Sequence, residues 1–193
     1  MIGSKELNMH LRPASTFADS DLLAVMMTAW PIRYSLRLAR NAAATWVDFN
    51  AVVDDPDKPS VETLLAVVDD VVVGFVRVEQ RNTHAIVSHL GVHPDHRDNR
   101  YMSKMIRLLR PYVFVHLGME TCAFDVIGSV EKLLTYCEKR DMYSETWVRD
   151  SDNGPHQLHR QIVTREGYEQ CVRDNPHEHV DDIEILFPAK EPI

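Results

Sequence analysis

The residues with the clearest chemical potential lie between positions 89 and 103. His89 falls in an apolar run, and an unperturbed imidazole titrates at about pH 6.5, which suits a general base. A polar segment with Arg97 and Arg100 follows, and an amphipathic pattern begins near Met102. A helix start binds phosphate through unpaired backbone N–H groups, and arginine adds charge-assisted hydrogen bonds. The stretch indicates an anion-binding turn after a strand that carries a histidine, although an ordinary sheet histidine and an ordinary capped helix would give the same pattern.

A strand and a helix must hold these residues in place. The β-branched run Ala85–Val92 predicts a strand that ends at His93-Pro94. The helix after it has one apolar face, formed by Met105, Ile106, Leu109, Val113 and Leu117. We expect Pro111 to kink this helix and Gly118 to end it.

The rest of the sequence alternates strand-like and helix-like patterns. Thr63–Val68 and Val71–Val78 flank Asp69-Asp70 and predict an antiparallel hairpin. Further strands are predicted at Met9–Pro13, Thr121–Val126, Glu145–Arg149, Tyr168–Arg173 and Ile183–Phe187, and helices after Asp19 or Ser20, over 33–50, at Ser129–Lys139 and at Gln157–Arg165. The fold class is therefore α/β in the broad sense (α+β), with about seven or eight strands and five helices.

Composition limits the classes of function. The 193 residues suit one domain, 1–193, and carry 29 acidic and 21 basic side chains, a net charge of −8. This balance argues against general nucleic-acid binding, and the sequence lacks an apolar run that would span a membrane. Three widely spaced cysteines favour a reducing, cytoplasmic compartment. The histidine pairs His156/His159 and His177/His179 lack further ligands in a metal-binding spacing, so no metal site is predicted.

The order of these elements resembles the GNAT superfamily of acyl-CoA-dependent N-acyltransferases. Leu11–Ser15 resembles the first strand of that family, and Gly74 lies in the second strand of a matching hairpin. Val92–Arg97 resembles the segment that precedes the cofactor loop of the family. Gly167-Tyr168 resembles the small and aromatic residues that follow its last helix, and residues 183–188 resemble its final strand. The resemblance implies a mixed, mostly antiparallel central sheet flanked by helices.

The resemblance also implies that the loop binds acetyl-CoA. The family motif reads Arg or Gln, two variable residues, Gly, one variable residue, then Gly or Ala. Here Arg97 matches, whereas Arg100 and Met102 replace the two small residues. The implied donor-binding residues are Leu90, Val92, Arg97, Asp98, Asn99, Arg100, Tyr101, Met102 and Ser103.

The resemblance implies direct acyl transfer, with His89 as the base and a tyrosine of the helix after the fifth strand as the acid. If Thr121–Val126 is that strand, the acid is Tyr136. If Glu145–Arg149 is that strand, the helix over 156–166 offers His159 and no tyrosine, and a helical insertion occupies residues 119–143. The second alignment is slightly favoured because of the distance from Gly167 to the last strand.

Three functions remain open from the sequence. The first is transfer of an acetyl group from acetyl-CoA to an amine of a small molecule or protein. The second is an inactive GNAT-like structural or binding subunit of an assembly, such as a phage virion protein, located in the virion. The third is a binding domain without a cofactor. The chain is expected to act as a homo-oligomer or as an assembly subunit, and without a membrane partner.

Overall fold

The computed structural model describes residues 1–14, 19, 60–97, 99–127, 143–151, 154–175 and 180–186. Nine strands lie in these ranges: β1 (Ile2–Ser4), β2 (Met9–Pro13), β3 (Ser60–Val68), β4 (Val71–Arg81), β5 (His84–Val92), β6 (Thr121–Ile127), β7 (Tyr143–Ser151), β8 (Gly154–Thr164) and β9 (Glu184–Ile185). The helices in the same ranges are α1 (Tyr101–Pro111) and α2 (Arg165–Asp174), with a short 3₁₀ turn at Pro94–His96 and a π-helical turn at Tyr112–His116.

The nine strands form one sheet in the order β7-β8-β6-β5-β4-β3-β2-β1-β9. Every pair in it is antiparallel except β5 with β6, which is parallel. The predicted fold class, a mixed and mostly antiparallel sheet with helices, is therefore confirmed.

The central hairpin forms as the sequence predicts and extends further. β3 and β4 pair from Val68 with Val71 out to Ser60 with Gln80. Asp69 and Asp70 form the two-residue turn with φ of 48° and 63°. Hairpin turns of this length need positive φ, and aspartate tolerates it because its short side chain bonds locally.

Helix α1 packs on the sheet and supplies much of its core. Met105, Leu108 and Leu109 are fully buried against the apolar side chains of the central strands. Gly74 allows this close approach, because a Cβ there would lie 2.5 Å from the Gly91 carbonyl oxygen and 3.0 Å from Met105 Sδ. The glycine thus fixes how deeply α1 lies on β4 and β5.

The end of α1 follows the sequence expectation in part. Pro111 is its last residue, and the chain continues as the π-helical turn, in which the Leu117 N–H bonds the Tyr112 carbonyl at 2.9 Å. Proline has no N–H to continue the i→i−4 ladder, so a change of helical register there is expected. Gly118, with φ of 70°, ends the segment as predicted.

Two predictions in the last third of the chain were wrong. The segment Gln157–Arg165, expected to be a helix, belongs mainly to strand β8, and Tyr168–Arg173, expected to be a strand, lies in helix α2. Leu158 and Ile162 are four residues apart, which places them on one face of a helix and also on one face of a strand. Thr164 caps the N-terminus of helix α2, because its hydroxyl accepts a hydrogen bond from the Gly167 N–H at 3.0 Å.

The two ends of the chain meet at one edge of the sheet. Strand β1 was not predicted, and β9 is shorter than the expected strand Ile183–Phe187. β9 pairs with β1, with Ile2 opposite Ile185. The predicted helices after Asp19 or Ser20, over 33–50 and at Ser129–Lys139 lie outside the described residues, apart from Asp19 itself. No helix within the described ranges is long and apolar enough to cross a membrane.

Candidate active site

The sheet opens at the parallel pair. β5 and β6 are paired only from His84–Thr121 to Val87–Phe124. Beyond that point β5 continues against β4 as far as Val92, and β6 continues against β8 as far as Ile127. The two neighbouring strands therefore separate, and among the described strands none fills the gap between them.

A β-bulge marks the point of separation. Arg77 pairs with His89, and the next residue of β4, Val78, pairs with Val87, so Ser88 is the extra residue of β5. Bulges bend a strand, increase its twist and often lie next to active sites. The candidate base His89 follows the bulge directly, on the strand that borders the gap.

The turn after β5 is held by its own backbone. The His93 N–H donates to the Val73 carbonyl at 2.8 Å, which continues the β4–β5 contact past Val92. The Asp95 N–H donates to His93 Nδ1 at 3.2 Å at the start of the 3₁₀ turn. Asn99 Nδ2 then donates to the His96 carbonyl at 3.2 Å. These bonds hold the described residues of the turn in place ahead of α1.

Arg100 adopts a conformation that glycine usually provides. It precedes α1 with φ of 59° and ψ of 17°, in the left-handed region. Within the described part of the chain no side-chain hydrogen bond caps α1, and its first turn carries the bond from Lys104 N–H to the Arg100 carbonyl, 3.2 Å. The preceding N–H groups, at Tyr101, Met102 and Ser103, therefore form the kind of helix start that binds anions.

The other sequence-predicted donor contacts surround this helix start. Arg97, Asn99 and Arg100 are exposed, and Leu90, Val92, Tyr101, Met102 and Ser103 are half-buried. Leu90, Val92 and Tyr101 also pack against the core, so they are held in position. The structure brings this set together on β5, the turn and α1. Asp98 lies outside the described residues.

Lys104 is one of the basic residues that the sequence places at this helix start, although it is not among the donor-binding residues that the resemblance implies. Its Nζ lies 2.8 Å from the Leu7 carbonyl oxygen and 5.7 Å from the centroid of the Tyr101 ring. The available signal was a basic residue in the first turn of the helix, but its contact with Leu7 spans 97 positions of sequence.

The structure contradicts one of the two alignments for the acid. β6 (Thr121–Ile127) is the parallel neighbour of β5 and the first described strand after α1, as the other alignment requires. The favoured alternative was wrong, because residues 156–164 are strand and Gly167-Tyr168 lies inside α2. The expected helical insertion over 119–143 was also wrong for residues 121–127, which form an inner strand. The remaining candidate, Tyr136, lies outside the described residues.

Two other titratable groups are unsuited to the chemistry. Burial raises the pKa of Tyr112, whose hydroxyl donates to the Glu62 carboxylate. Burial likewise raises the pKa of the Cys122 thiol, so it behaves as a small core residue rather than a nucleophile. Cys171 is half-buried, Cys137 lies outside the described residues, and no cluster of three metal-ligating side chains occurs within them.

Comparison with known proteins identifies the family. The model of the acetyltransferase (GNAT) family matches residues 24–129, more than half of the 193 positions. The chain therefore belongs to the GNAT acetyltransferase family, and the resemblance seen in the sequence is confirmed. No curated protein sequence matches the chain significantly.

Solved structures with the same fold include the spermidine N-acetyltransferase SpeG from Vibrio cholerae. Its complex with CoA and spermine has a TM-score of 0.68 and 15% identity, over 84% of this chain and 98% of that chain. A mutant form has a TM-score of 0.70 and 13% identity, over 84% and 96%. A dodecameric structure has a TM-score of 0.67 and 14% identity, over 83% and 96%. At these identities the likeness shows the fold alone.

Proposed function

We propose that the chain is an N-acetyltransferase that moves an acetyl group from acetyl-CoA to an amine. The observation that carries this proposal is the separation of β5 from β6 after Val87 and Phe124, directly beside the turn that leads into α1. A gap between neighbouring strands offers backbone groups to an extended ligand, and the helix start beyond it attracts phosphates. Both features fit one elongated, anionic thioester.

The loop fits the phosphate end of such a donor by its backbone shape. Arg100 keeps the left-handed conformation, so the N–H groups that begin α1 stay available for an anion. The half-buried side chain of Met102 leaves less space for a phosphate to approach the backbone than the Gly or Ala of the family motif would. Arg97 and Arg100 are exposed at the same end and add positive charge.

We assign the proton acceptor to His89. It follows the bulge on β5 and borders the gap in which the thioester arm would lie. Acetyl-CoA supplies the acyl group as an activated thioester. In the transfer a C–N bond to the amine forms and the C–S bond breaks, while His89 accepts the proton that the amine loses.

We assign the proton donor to Tyr136, which follows β6 in sequence. A phenol there would protonate the sulfur that leaves with the electron pair, so that the products are an amide and a free thiol. With β6 as the fifth strand, Tyr136 is the tyrosine that the family pattern assigns to this role.

The acceptor is proposed as an amine-bearing small molecule or protein. The SpeG structure that holds CoA and spermine supports an amine acceptor in a related fold. We further propose that residues 1–193 form one domain, that the chain is cytoplasmic and that it acts as a homo-oligomer. The proteins compared above are acetyltransferases, and none of them supports the virion alternative.

Acetyl-CoA binding and thiol release test the proposal together. Millimolar acetyl-CoA should raise the melting temperature, because a ligand that binds only the native state stabilises it. Thiol release with a panel of polyamines, amino acids and peptides then measures turnover. Absence of a thermal shift would refute acetyl-CoA binding, and a shift without turnover would support the inactive alternative.

Histidine variants test the base. His89→Gln should lower turnover while the affinity for CoA stays nearly unchanged. His84→Gln is the matched control, since His84 is exposed at the far end of β5 and its Nδ1 lies 2.7 Å from Thr121 Oγ1. Equal turnover in wild type and His89→Gln would remove His89 from the mechanism.

A further inference from the structure

The Lys104 ammonium is fixed beside the first turn of α1 by a neutral group. Its Nζ donates to the Leu7 carbonyl at 2.8 Å and lies 5.7 Å from the centroid of the Tyr101 ring. The carbonyl is neutral and takes one of the three N–H donors of the ammonium, so this contact is not an ion pair and leaves two N–H donors for an anion. The helix start therefore has a positioned cation beside it.

The other basic side chains near this end of α1 differ from Lys104. Arg107 lies one turn later, and its Nη2 is 3.1 Å from Glu6 Oε1, so its charge is compensated by an ion pair. Arg100 is exposed, and ordering a long exposed side chain on a ligand costs conformational entropy. Lys104 is half-buried, and its contact with Leu7 already orders the side chain. Binding of an anion to the Lys104 ammonium would therefore cost less side-chain conformational entropy.

The N-terminal turn (residues 5–8) that holds Lys104 is itself tied down. The Leu7 N–H donates to Ser4 Oγ at 3.1 Å, and the Leu7 side chain is buried. Asn8, with φ of 46°, closes the turn through its N–H to the Lys5 carbonyl at 3.0 Å. The Leu7 carbonyl is thereby fixed relative to β1 and β2.

Asp182 organises this turn from the other end of the chain. Its carboxylate accepts hydrogen bonds from Ser4 Oγ at 2.5 Å, from the Lys5 N–H at 2.7 Å and from the Glu6 N–H at 2.9 Å. These bonds lower the pKa of Asp182, first of all the one from Ser4. The C-terminal segment (residues 180–186) is anchored by buried Val180 and by the pairing of β9 with β1.

We propose that Lys104 binds the phosphates of the acyl donor and that Asp182 is a positioning residue, which sets Lys104 through the N-terminal turn. This inference rests on the proposed function. The turn and the C-terminal segment both lie outside residues 24–129, the part of the chain that the family model matches. Through Lys104, these two segments contact the first turn of the donor-binding helix.

Replacement of Lys104 tests the contact. Lys104→Met keeps a long apolar stem over Tyr101 and removes the charge, and Lys104→Arg restores a cation. Calorimetric titration of the full chain with CoA should show about tenfold weaker binding for Lys104→Met, the loss expected for one hydrogen bond to a charged group. Lys104→Arg should recover most of the affinity. The melting temperatures without ligand report any loss of folding.

A double-mutant cycle tests the positioning role. Asp182→Asn should weaken CoA binding by about threefold, a fraction of the effect of Lys104→Met. If Asp182 acts through Lys104, the double variant binds CoA no more weakly than Lys104→Met alone. Ser4→Ala breaks the same link more gently and serves if Asp182→Asn fails to fold. Glu184→Gln is the control, because its contact with Lys5 is an exposed pair at 3.9 Å.

The outcomes separate this inference from the proposed function. If the wild-type chain does not bind CoA, the proposed function fails, and this inference fails with it. If the wild type binds CoA and Lys104→Met binds it equally well, the proposed function stands and the role of Lys104 is refuted. An additive loss in the double variant refutes the coupling from Asp182 to Lys104, because independent effects add.

Discussion

The tight contact at Gly74 predicts a large effect of one added methyl group. In Gly74→Ala the new Cβ would lie 2.5 Å from the Gly91 carbonyl oxygen and 3.0 Å from Met105 Sδ. The sulfur can move, but the oxygen belongs to the backbone of β5, so the strand itself must shift. Overpacking of this kind costs about 1–3 kcal/mol, and the alanine regains about 0.4–1 kcal/mol by restricting the unfolded chain.

The expected net loss is about 1.5 kcal/mol, which corresponds to a melting temperature lower by about 3–6 °C for a chain of this size. Differential scanning calorimetry measures this directly. Since Gly91 lies close to the turn before α1, the thermal shift caused by acetyl-CoA should also shrink in the variant.

Gly167→Ala is the matched control for the Gly74 prediction. Its Cβ would meet Thr164 Oγ1 at 3.2 Å, and the site lies in the first turn of α2, where alanine is favoured over glycine by up to about 1 kcal/mol. Its melting temperature should stay equal or rise. A melting temperature of Gly74→Ala within experimental error of the wild type would refute the claim that Gly74 sets the position of α1.

Three further changes have defined outcomes. Tyr112→Phe removes the donor to Glu62 and should cost about 1–2 kcal/mol in urea unfolding, with CoA affinity unchanged. Arg100→Gly relieves a left-handed conformation at the cost of a more flexible unfolded chain, so calorimetry should show a gain of about 0.5 kcal/mol. The pKa of Asp182 is lowered in the folded chain, so its ionised carboxylate stabilises the fold above about pH 4. This stabilisation is lost as the pH falls through the lowered pKa. The difference in melting temperature between the wild type and Asp182→Asn should therefore disappear in acid.

The sequence predicts well those elements whose signal is local. The β3–β4 hairpin, strand β5 and helix α1 each follow from a pattern of about ten residues and a nearby turn signal. Strand β8 was predicted as a helix because apolar residues four positions apart fit both a strand and a helix. Its Gln161 is also buried despite a polar side chain, which obscures the strand pattern. In α2 the cap at Thr164 was a readable signal, since a threonine before an acidic first turn is typical of a helix start.

The same limit applies to the candidate site. His89 and the turn residues are neighbours in sequence, so one local pattern is enough to select them together as candidates. The parallel pairing of β5 with β6 joins segments more than thirty residues apart, and the proposed acid is assigned on the basis of that pairing. The contacts of Lys104 with Leu7 and of Asp182 with Ser4 span 97 and 178 positions, and no pattern in one sequence encodes such pairs.

Arg100 takes over one of the two structural roles that a glycine has in the donor loop of the family motif, but not the other. A glycine there permits positive φ and lets a ligand approach the backbone closely. Arg100 retains the first property, with φ of 59°, and its side chain removes the second. A loop that keeps its shape but is less open must obtain more of its phosphate affinity from side chains. Lys104, held by a neutral carbonyl at the same helix start, is the ordered cation placed to provide it. On this reasoning, the contacts that position Lys104 through Leu7 and Asp182 compensate for the departure of the loop from the family pattern.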